Sequence, residues 1–336
     1  MQIPDFKNPP KSRFKFKAFS LIELSFVILI IGVLVAGIVL GKNLIGRSRI
    51  TNAQTLAQSS PVLAISDLQL WLENSLDRSF KASEMVDGNS LSMWNNISPS
   101  SKVGVVAVGS GPVYSTVYTI NSIPGVRFTN SAVNYLTISN ASFLNNTDYT
   151  ICVSEKRESS GANNYFIGDT TVTTSNQNLL LGYLADGMVI HSQAGTTVVA
   201  NSNVYSSSVV GYAASSNPKL FCFVQNSATG KSTYINGMLA GTSTNTNQLS
   251  GITSLSIGKS YTGEIGEVII FTKALTISEL ESVTDSFFAK LFISEANAAV
   301  ETSELSDVMK YMSKKFNAKV SPAGTTCNGV VTDGGV

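Results

Sequence analysis

The pattern of apolar and polar positions divides the chain into stretches of different period. Residues 19–41 read FSLIELSFVILIIGVLVAGIVLG, apolar on every side and interrupted by one charge, Glu23. At 1.5 Å per residue a helix of that length crosses the hydrocarbon core of a bilayer. The text then turns amphipathic, with Leu44, Ile45, Ile50, Ala53, Leu56 and Ala57 recurring at helical spacing. Pro61 disfavours helical geometry in the residue before it, so the long helix is expected to span 19–60 and to end near Ser60. Over 67–292 the period drops to two. Short runs such as VGVVAV, YLTIS, YTICVS, LLLGYL, LFCFVQ and EVIIF, divided by Gly, Asn, Ser and Thr, predict an antiparallel β-sandwich. Asn236-Gly237 between STYI and MLAG marks a type I′ hairpin, because both central positions need positive φ. One late helix, TISELESVTDSFFAKLF, has Ser278 and nearby acids at its start, and 303–316 predicts a short helix in the tail, 293–336. The expected fold class is therefore mainly β, with a long N-terminal α-helix, transmembrane in its first half, and short C-terminal helices.

Composition removes several functions. Hydrophobic residues make up 43% of the chain and charged ones only 13%, which excludes disorder as the main state. Lys and Arg total 23 against 22 Asp and Glu, so no electrostatic footprint for nucleic acid exists. His191 is the single histidine, which rules out any site needing two imidazoles. In MVIHSQ it reads as a strand residue satisfied by its neighbours. Cys152, Cys222 and Cys327 are too few for a disulfide framework. Cys152 and Cys222 sit in strand-like runs and read first as core thiols, with a bridge between them as the alternative in an oxidising compartment. Trp71 and Trp94 read as core rather than as sugar-stacking platforms. Asn163, Asn164, Asp169 and Asp186 fall in loop-like stretches that would line one end of the sandwich.

Residues 1–18 carry Lys7, Lys11, Arg13, Lys15 and Lys17 against Asp5 alone, a flank retained in the cytoplasm under the positive-inside rule. The apolar run exceeds the roughly 7–15 residues of a secretory signal peptide and has no small-x-small cleavage site after it. A plain signal anchor accounts for flank and length but gives Glu23 no role. A carboxylate at mid-bilayer costs about 2.5 to 3.5 kcal/mol, so a partner is expected. At Lys17-Ala18-Phe19-Ser20-Leu21-Ile22-Glu23 the sequence resembles the leader junction of type IV pilins and type II secretion pseudopilins. The resemblance implies that 1–18 is a prepilin leader, that a prepilin peptidase cuts between Ala18 and Phe19 and methylates the new Phe19 amine, and that Glu23 becomes the fifth mature residue. Ala18 stands where the family usually has glycine, the nearest residue in size. The spacing has a physical logic of its own. The new amine and Glu23, one turn further along, are each costly in lipid or a protein core, and they compensate when subunits stack so that one carboxylate meets a neighbour's amine. Gly32, Ala36 and Gly37 permit close helix approach.

The stretches LQLWLENS (68–75), DGNSLSMWNNIS (87–98), IPGVRFTNSAVNYLTI (123–138), TYINGMLAG (233–241) and LSIGKSYTGEIGEVIIFTKALTISELESV (255–283) resemble laminin G-like or concanavalin A-like jelly rolls. The acidic loop residues that hold calcium in some relatives have no counterpart, so no metal or cofactor is expected. Relatives include β-glucanases, which use paired acids on one strand face. Glu264 and Glu267 lie three apart, on opposite faces of a regular strand, with no aspartate between. They read as rim residues beside a Gly263 turn, and no catalytic residue is expected. The expected function is a minor pilin or pseudopilin that assembles through its N-terminal helix and displays a lectin-like head for adhesion or carbohydrate binding. The alternative is a membrane-anchored carbohydrate-binding protein that does not polymerise. Implied partners are a prepilin peptidase, other pilins or pseudopilins, an inner-membrane assembly platform with its ATPase, and a glycan. The implied location is the bacterial inner membrane for the precursor, with its N-terminus cytoplasmic, and then a periplasmic or cell-surface filament.

Overall fold

The computed structural model describes residues 21–120, 123–159, 162–168, 170, 174–185, 188–193, 204–206 and 218–292, without the side chains of 23, 37, 39–45, 204–206, 291 and 292. Ala18, Phe19, the Glu23 side chain, Asp169, Asp186, Cys327 and the tail expected at 293–336 lie outside the described residues.

The chain divides into two units after Ser48. Helix α1 (Leu21–Gln58) runs unbroken through that boundary. In its first half Leu21, Phe26, Val33, Leu34 and Ile38 are exposed, residues that fall on every side of a 3.6-residue helix. Among the described residues no helix is long and apolar enough to cross a membrane. The span expected at 19–41 includes positions outside that description. In the second unit Ala53 and Ala57 are buried, and Gln54 Nε2 donates to the Ser75 carbonyl at 3.0 Å and to Asp77 Oδ1 at 3.1 Å. Two small residues one turn apart thus let the end of α1 lie close on the head. Pro61 opens a short 3-10 turn whose first N–H, that of Val62, donates to the Ser60 hydroxyl at 3.3 Å.

The head is two antiparallel sheets face to face. The strands are β1 (Leu68–Glu73), β2 (Val105–Val108), β3 (Val113–Ile120), β4 (Ile123–Thr129), β5 (Tyr135–Ile138), β6 (Tyr149–Arg157), β7 (Asn164–Ile167), β8 (Leu180–Tyr183), β9 (Val189–Ser192), β10 (Val204–Ser206), β11 (Lys219–Asn226), β12 (Gly230–Ile235), β13 (Met238–Ser243), β14 (Leu255–Ser260) and β15 (Thr262–Phe271). The first sheet runs β13-β12-β11-β6-β15-β4-β3, with β1 pairing the second half of β15, and the second runs β10-β9-β8-β7-β14-β5-β2. Alternation sends Phe221, Phe223, Ile151 and Val153 of the first sheet against Leu136, Phe166, Leu181 and Ile257 of the second. Trp94 is fully buried in this core and donates from Nε1 to the Glu73 carbonyl at 2.9 Å. The Asn236-Gly237 turn has φ of 51° and 79°, joining β12 to β13 with two residues as its sequence predicts.

The outer face of the first sheet is covered by α2 (Ile277–Phe292), whose Leu280, Val283 and Phe287 pack on Trp71, Ile269 and Phe271. The helix start is Thr276 rather than Ser278. Thr276 and Glu279 form a reciprocal capping box, Glu279 N donating to Thr276 Oγ1 at 3.3 Å and Thr276 N to Glu279 Oε2 at 2.9 Å. Beneath α2 the two cysteines read first as core thiols are joined in a disulfide. Cys152 and Cys222 are direct partners across β6 and β11, with Cα atoms 4.1 Å apart, so their sulfurs meet on one face of the sheet.

Candidate functional site

The outer face of the second sheet carries a cleft of about 180 Å³. Leu136 pairs with Ile257 and Thr137 with Ser256. Leu136 and Ile257 point into the core, so alternation turns Tyr135, Thr137 and Ser256 outward into the cleft. Gln177 and Asn178 close it from the turn after 173. That turn is held by Ser250 N donating to the Asn176 carbonyl at 2.7 Å and by Asn176 N donating to the Gln193 carbonyl at 2.8 Å. Asn176 sits at φ 60°, a conformation asparagine tolerates. Lys259 lies at the cleft with its Nζ 5.3 Å from the Tyr135 ring centroid, and Gly168, Ser254 and the apolar Ile252 and Leu255 complete the lining. Hydroxyls, side-chain amides, one aromatic ring and one ammonium are groups that hydrogen-bond and stack on a polyhydroxylated ligand. The volume falls below the roughly 300–1,000 Å³ of typical small-molecule pockets. A cleft of that size has room for the end of a small ligand rather than the whole of one.

Glu264 and Glu267 differ from their sequence reading in two ways. They are buried, at 0% and 5% exposure, and so are not rim residues. They also share a face. The pairing of β15 with β6 slips between Ile265 and Glu267, so Gly266 is an extra residue in the ladder, and Ile265 and Val268 both point to the core while the two acids both point outward. Each acid is enclosed by its own partners. Glu267 lies against Lys290 of α2 and accepts from Trp71 Nε1 at 3.3 Å. Glu264 lies 3.8 Å from Arg127 Nε, while the Arg127 Nη2 goes to Glu158 Oε2 at 3.0 Å and its guanidinium stacks on Tyr118.

Burial, reinforced by the neighbouring Glu158 carboxylate, pushes the Glu264 carboxyl up to about 8 against the pull of Lys156 and Arg127. The folded protein therefore keeps a proton that the unfolded chain has released above about 4.5. Stability is expected to fall as pH rises between those values and to level off above about 8. Glu264→Gln should flatten this dependence and make the variant more heat-stable than the parent at pH 9, which thermal unfolding across pH 5–9 reads directly.

Other buried charges escaped the sequence reading. Inside the sandwich Glu155 accepts from the hydroxyls of Tyr183, at 2.6 Å, and Tyr261, and burial raises its pKa. Arg157 lies over the Tyr183 ring, 3.9 Å from its centroid. The signal was present: Ile151, Val153, Glu155 and Arg157 are alternate residues of one strand and so share the inward face. Asn164 begins β7 and its Oδ1 accepts from Thr262 N at 2.8 Å, while Asn163 Oδ1 accepts from Ala185 N at 2.9 Å. Both act in loop closure, away from the cleft lining. Trp71 is buried under α2. Among the described residues no group of three His, Cys, Asp or Glu side chains could hold a metal ion.

Residues 130–281 match the family model of the concanavalin A-like lectin/glucanases superfamily, Laminin_G_3. Over these residues the head is similar to laminin G-like jelly rolls. No curated protein matches the sequence. Among solved structures, the binding domain of Paraclostridial Mosquitocidal Protein 1 is similar at 14% identity and TM-score 0.48, over 66% of this chain and 52% of that one. Trypanosoma rangeli sialidase is similar at 12% identity and TM-score 0.46, over 67% of this chain and 34% of that one. Domain 4 of AbnA, a GH43 extracellular arabinanase from Geobacillus stearothermophilus, solved with arabinotriose, is similar at 15% identity and TM-score 0.44, over 66% of this chain and 98% of that one. The chain thus spans about half the length of the first and a third of the second.

Proposed function

We propose that the protein is a minor pilin or pseudopilin whose laminin G-like head binds carbohydrate through the cleft on the second sheet. The observation that carries the reading is the first half of α1, apolar and exposed on all its sides over the described part of 21–38. A helix with no polar face is covered by lipid or by other helices. The junction at Ala18 and Phe19, with Glu23 one turn on, supports polymerisation over simple anchoring, because it supplies a cation and an acid that compensate each other between stacked subunits. The Cys152–Cys222 disulfide supports a head that folds in an oxidising compartment, and the basic flank at 1–18 supports an N-terminus left in the cytoplasm. The family match and the polar lining of the cleft support a glycan ligand.

Intact mass and N-terminal sequencing of the protein from its native cell should show loss of 1–18 and a methylated Phe19. A chain retaining Met1 and absent from any filament would favour the second reading, a membrane-anchored carbohydrate-binding protein that does not polymerise. On a glycan array, the detergent-solubilised protein should bind. Thr137→Ala with Gln177→Ala should weaken that binding at least about tenfold, the effect of roughly 1.4 kcal/mol lost with two hydrogen-bonding groups. Unchanged binding by this variant would remove the cleft from the proposal.

A further inference from the structure

Besides the Glu155 cluster, the interior of the head has a second polar region, beside His191 of β9 and the inward side chains of β11 and β12. Leu181, a core residue, pairs with His191, so His191 points inward, and Gln193, two residues on, follows it. Phe223, also core, pairs with Thr233, and Gln225 pairs with Lys231, which turns both β12 side chains inward. All five polar residues are at most 2% exposed.

Gln193 Nε2 donates to the Tyr149 hydroxyl at 3.0 Å, and the same hydroxyl lies 2.9 Å from His191 Nε2. A tyrosine oxygen that accepts from Gln193 still has its own hydrogen to donate to Nε2, the arrangement that leaves the imidazole hydrogen on Nδ1. The ring sits beside Phe223 of β11, 5.4 Å between centroids, with Nε2 toward Tyr149 on β6. Since β6 and β12 flank β11 on opposite sides, the ring edge away from Tyr149 lies on the β12 side, where Thr233 and Lys231 face inward. Among the described residues neither His191 Nδ1 nor Thr233 Oγ1 has a hydrogen-bond partner. Lys231 Nζ donates to the carbonyl and the Oδ1 of Asn245, at 3.2 and 3.1 Å, both neutral acceptors, and among the described residues no acid pairs with it.

We propose that this chamber is a binding site for a small monovalent anion of chloride size, held by His191 Nδ1–H, the Thr233 hydroxyl and the remaining N–H of Lys231. A buried ammonium without a counter-ion and two buried donors without acceptors are each unfavourable, and one anion relieves all three. A water molecule would satisfy the donors and leave the charge uncompensated. Burial holds the Lys231 amine down at about 8, and burial reinforced by the Lys231 charge holds His191 well below the usual imidazole range, so the chamber without an anion disfavours the positive charge. Gln193 Oε1, also without a partner, is an acceptor and fits a water beside the anion.

The test compares thermal unfolding of the full-length, detergent-solubilised protein in sodium chloride and in sodium gluconate at equal ionic strength, pH 7, and seeks a bromide anomalous peak in crystals. Tm should be about 2–4 °C higher in chloride, as expected for an anion bound only by the folded state. A bromide peak should lie beside His191 Nδ1. Thr233→Val, close in shape, should abolish the chloride shift and the peak while the fold persists, and Lys231→Met should do the same. Equal Tm in the two salts, or a chamber holding water alone in bromide, overturns the proposal.

Discussion

Replacing Lys290 with methionine is expected to lower the stability of the head by about 3–5 kcal/mol, the cost of breaking a buried ion pair from one side. Lys290 lies in the last turn of α2, is 5% exposed, and reaches down to two carboxylates. Its Nζ lies 3.3 Å from Glu73 Oε1 and against Glu267 Oε1. Glu73 is additionally held by Ser75 N, the Ser75 hydroxyl and Leu76 N, at 2.8, 2.6 and 2.9 Å. Among the described residues, Glu267 accepts from Trp71 Nε1 at 3.3 Å besides the lysine. Without Lys290 the two buried acids face each other beneath α2 with no cation between them. Burial and Glu73 already push the Glu267 carboxyl up, and removing the lysine strengthens both effects. The variant's folded state would then hold a proton that the unfolded chain releases above about 4.5. Its deficit relative to the parent should therefore shrink as pH falls from 8 toward 5. Lys290→Met with Glu267→Gln should recover most of the loss, because Glu73 keeps its three local donors. Urea unfolding at pH 7 reads all of this, and a loss below about 1 kcal/mol for Lys290→Met would mean the cluster is open to water.

The contrast between this lysine and its sequence context shows what was legible in the chain and what was not. The switch from period 3.6 to period 2 after Pro61 locates the long helix and the strands, because both signals are local. The Asn-Gly turn is legible for the same reason. Lys290 is not, since a lysine near a helix end reads as solvated, and only the packing of α2 on β1 and β15 buries it. The disulfide required the register of β6 against β11, strands whose cysteines are 70 residues apart in sequence. The shared face of Glu264 and Glu267 depends on one inserted glycine, and a bulge moves every later side chain by one position without altering the apparent alternation. The cleft combines β5, β14 and two loops, none of which carries a distinguishing residue alone. The polar chamber beside β12 is hidden because alternation cannot tell which face of a mixed strand is inward until its partner is known.

Glu23→Ala is expected to leave membrane insertion intact and to reduce incorporation into filaments about a hundredfold or more. The substitution removes a charge that costs about 2.5 to 3.5 kcal/mol at mid-bilayer and less toward the edge, so the monomer in the membrane is no worse off. In the proposed filament the same change would leave the Phe19 amine of a neighbour without its acid. One-sided loss of a buried pair costs about 3–5 kcal/mol, which corresponds to two or more orders of magnitude in the assembly equilibrium. Glu23→Asp keeps the charge but shortens the reach by one methylene, and its incorporation should fall between parent and alanine. Immunoblots of sheared filaments against membrane fractions, with the amount processed at Ala18 measured in the same cells, separate assembly from cleavage. Alanine at 23 that entered filaments normally would leave the carboxylate without a role in register. Alanine that failed to insert would instead tie Glu23 to anchoring, because a less polar helix should enter lipid more readily, not less.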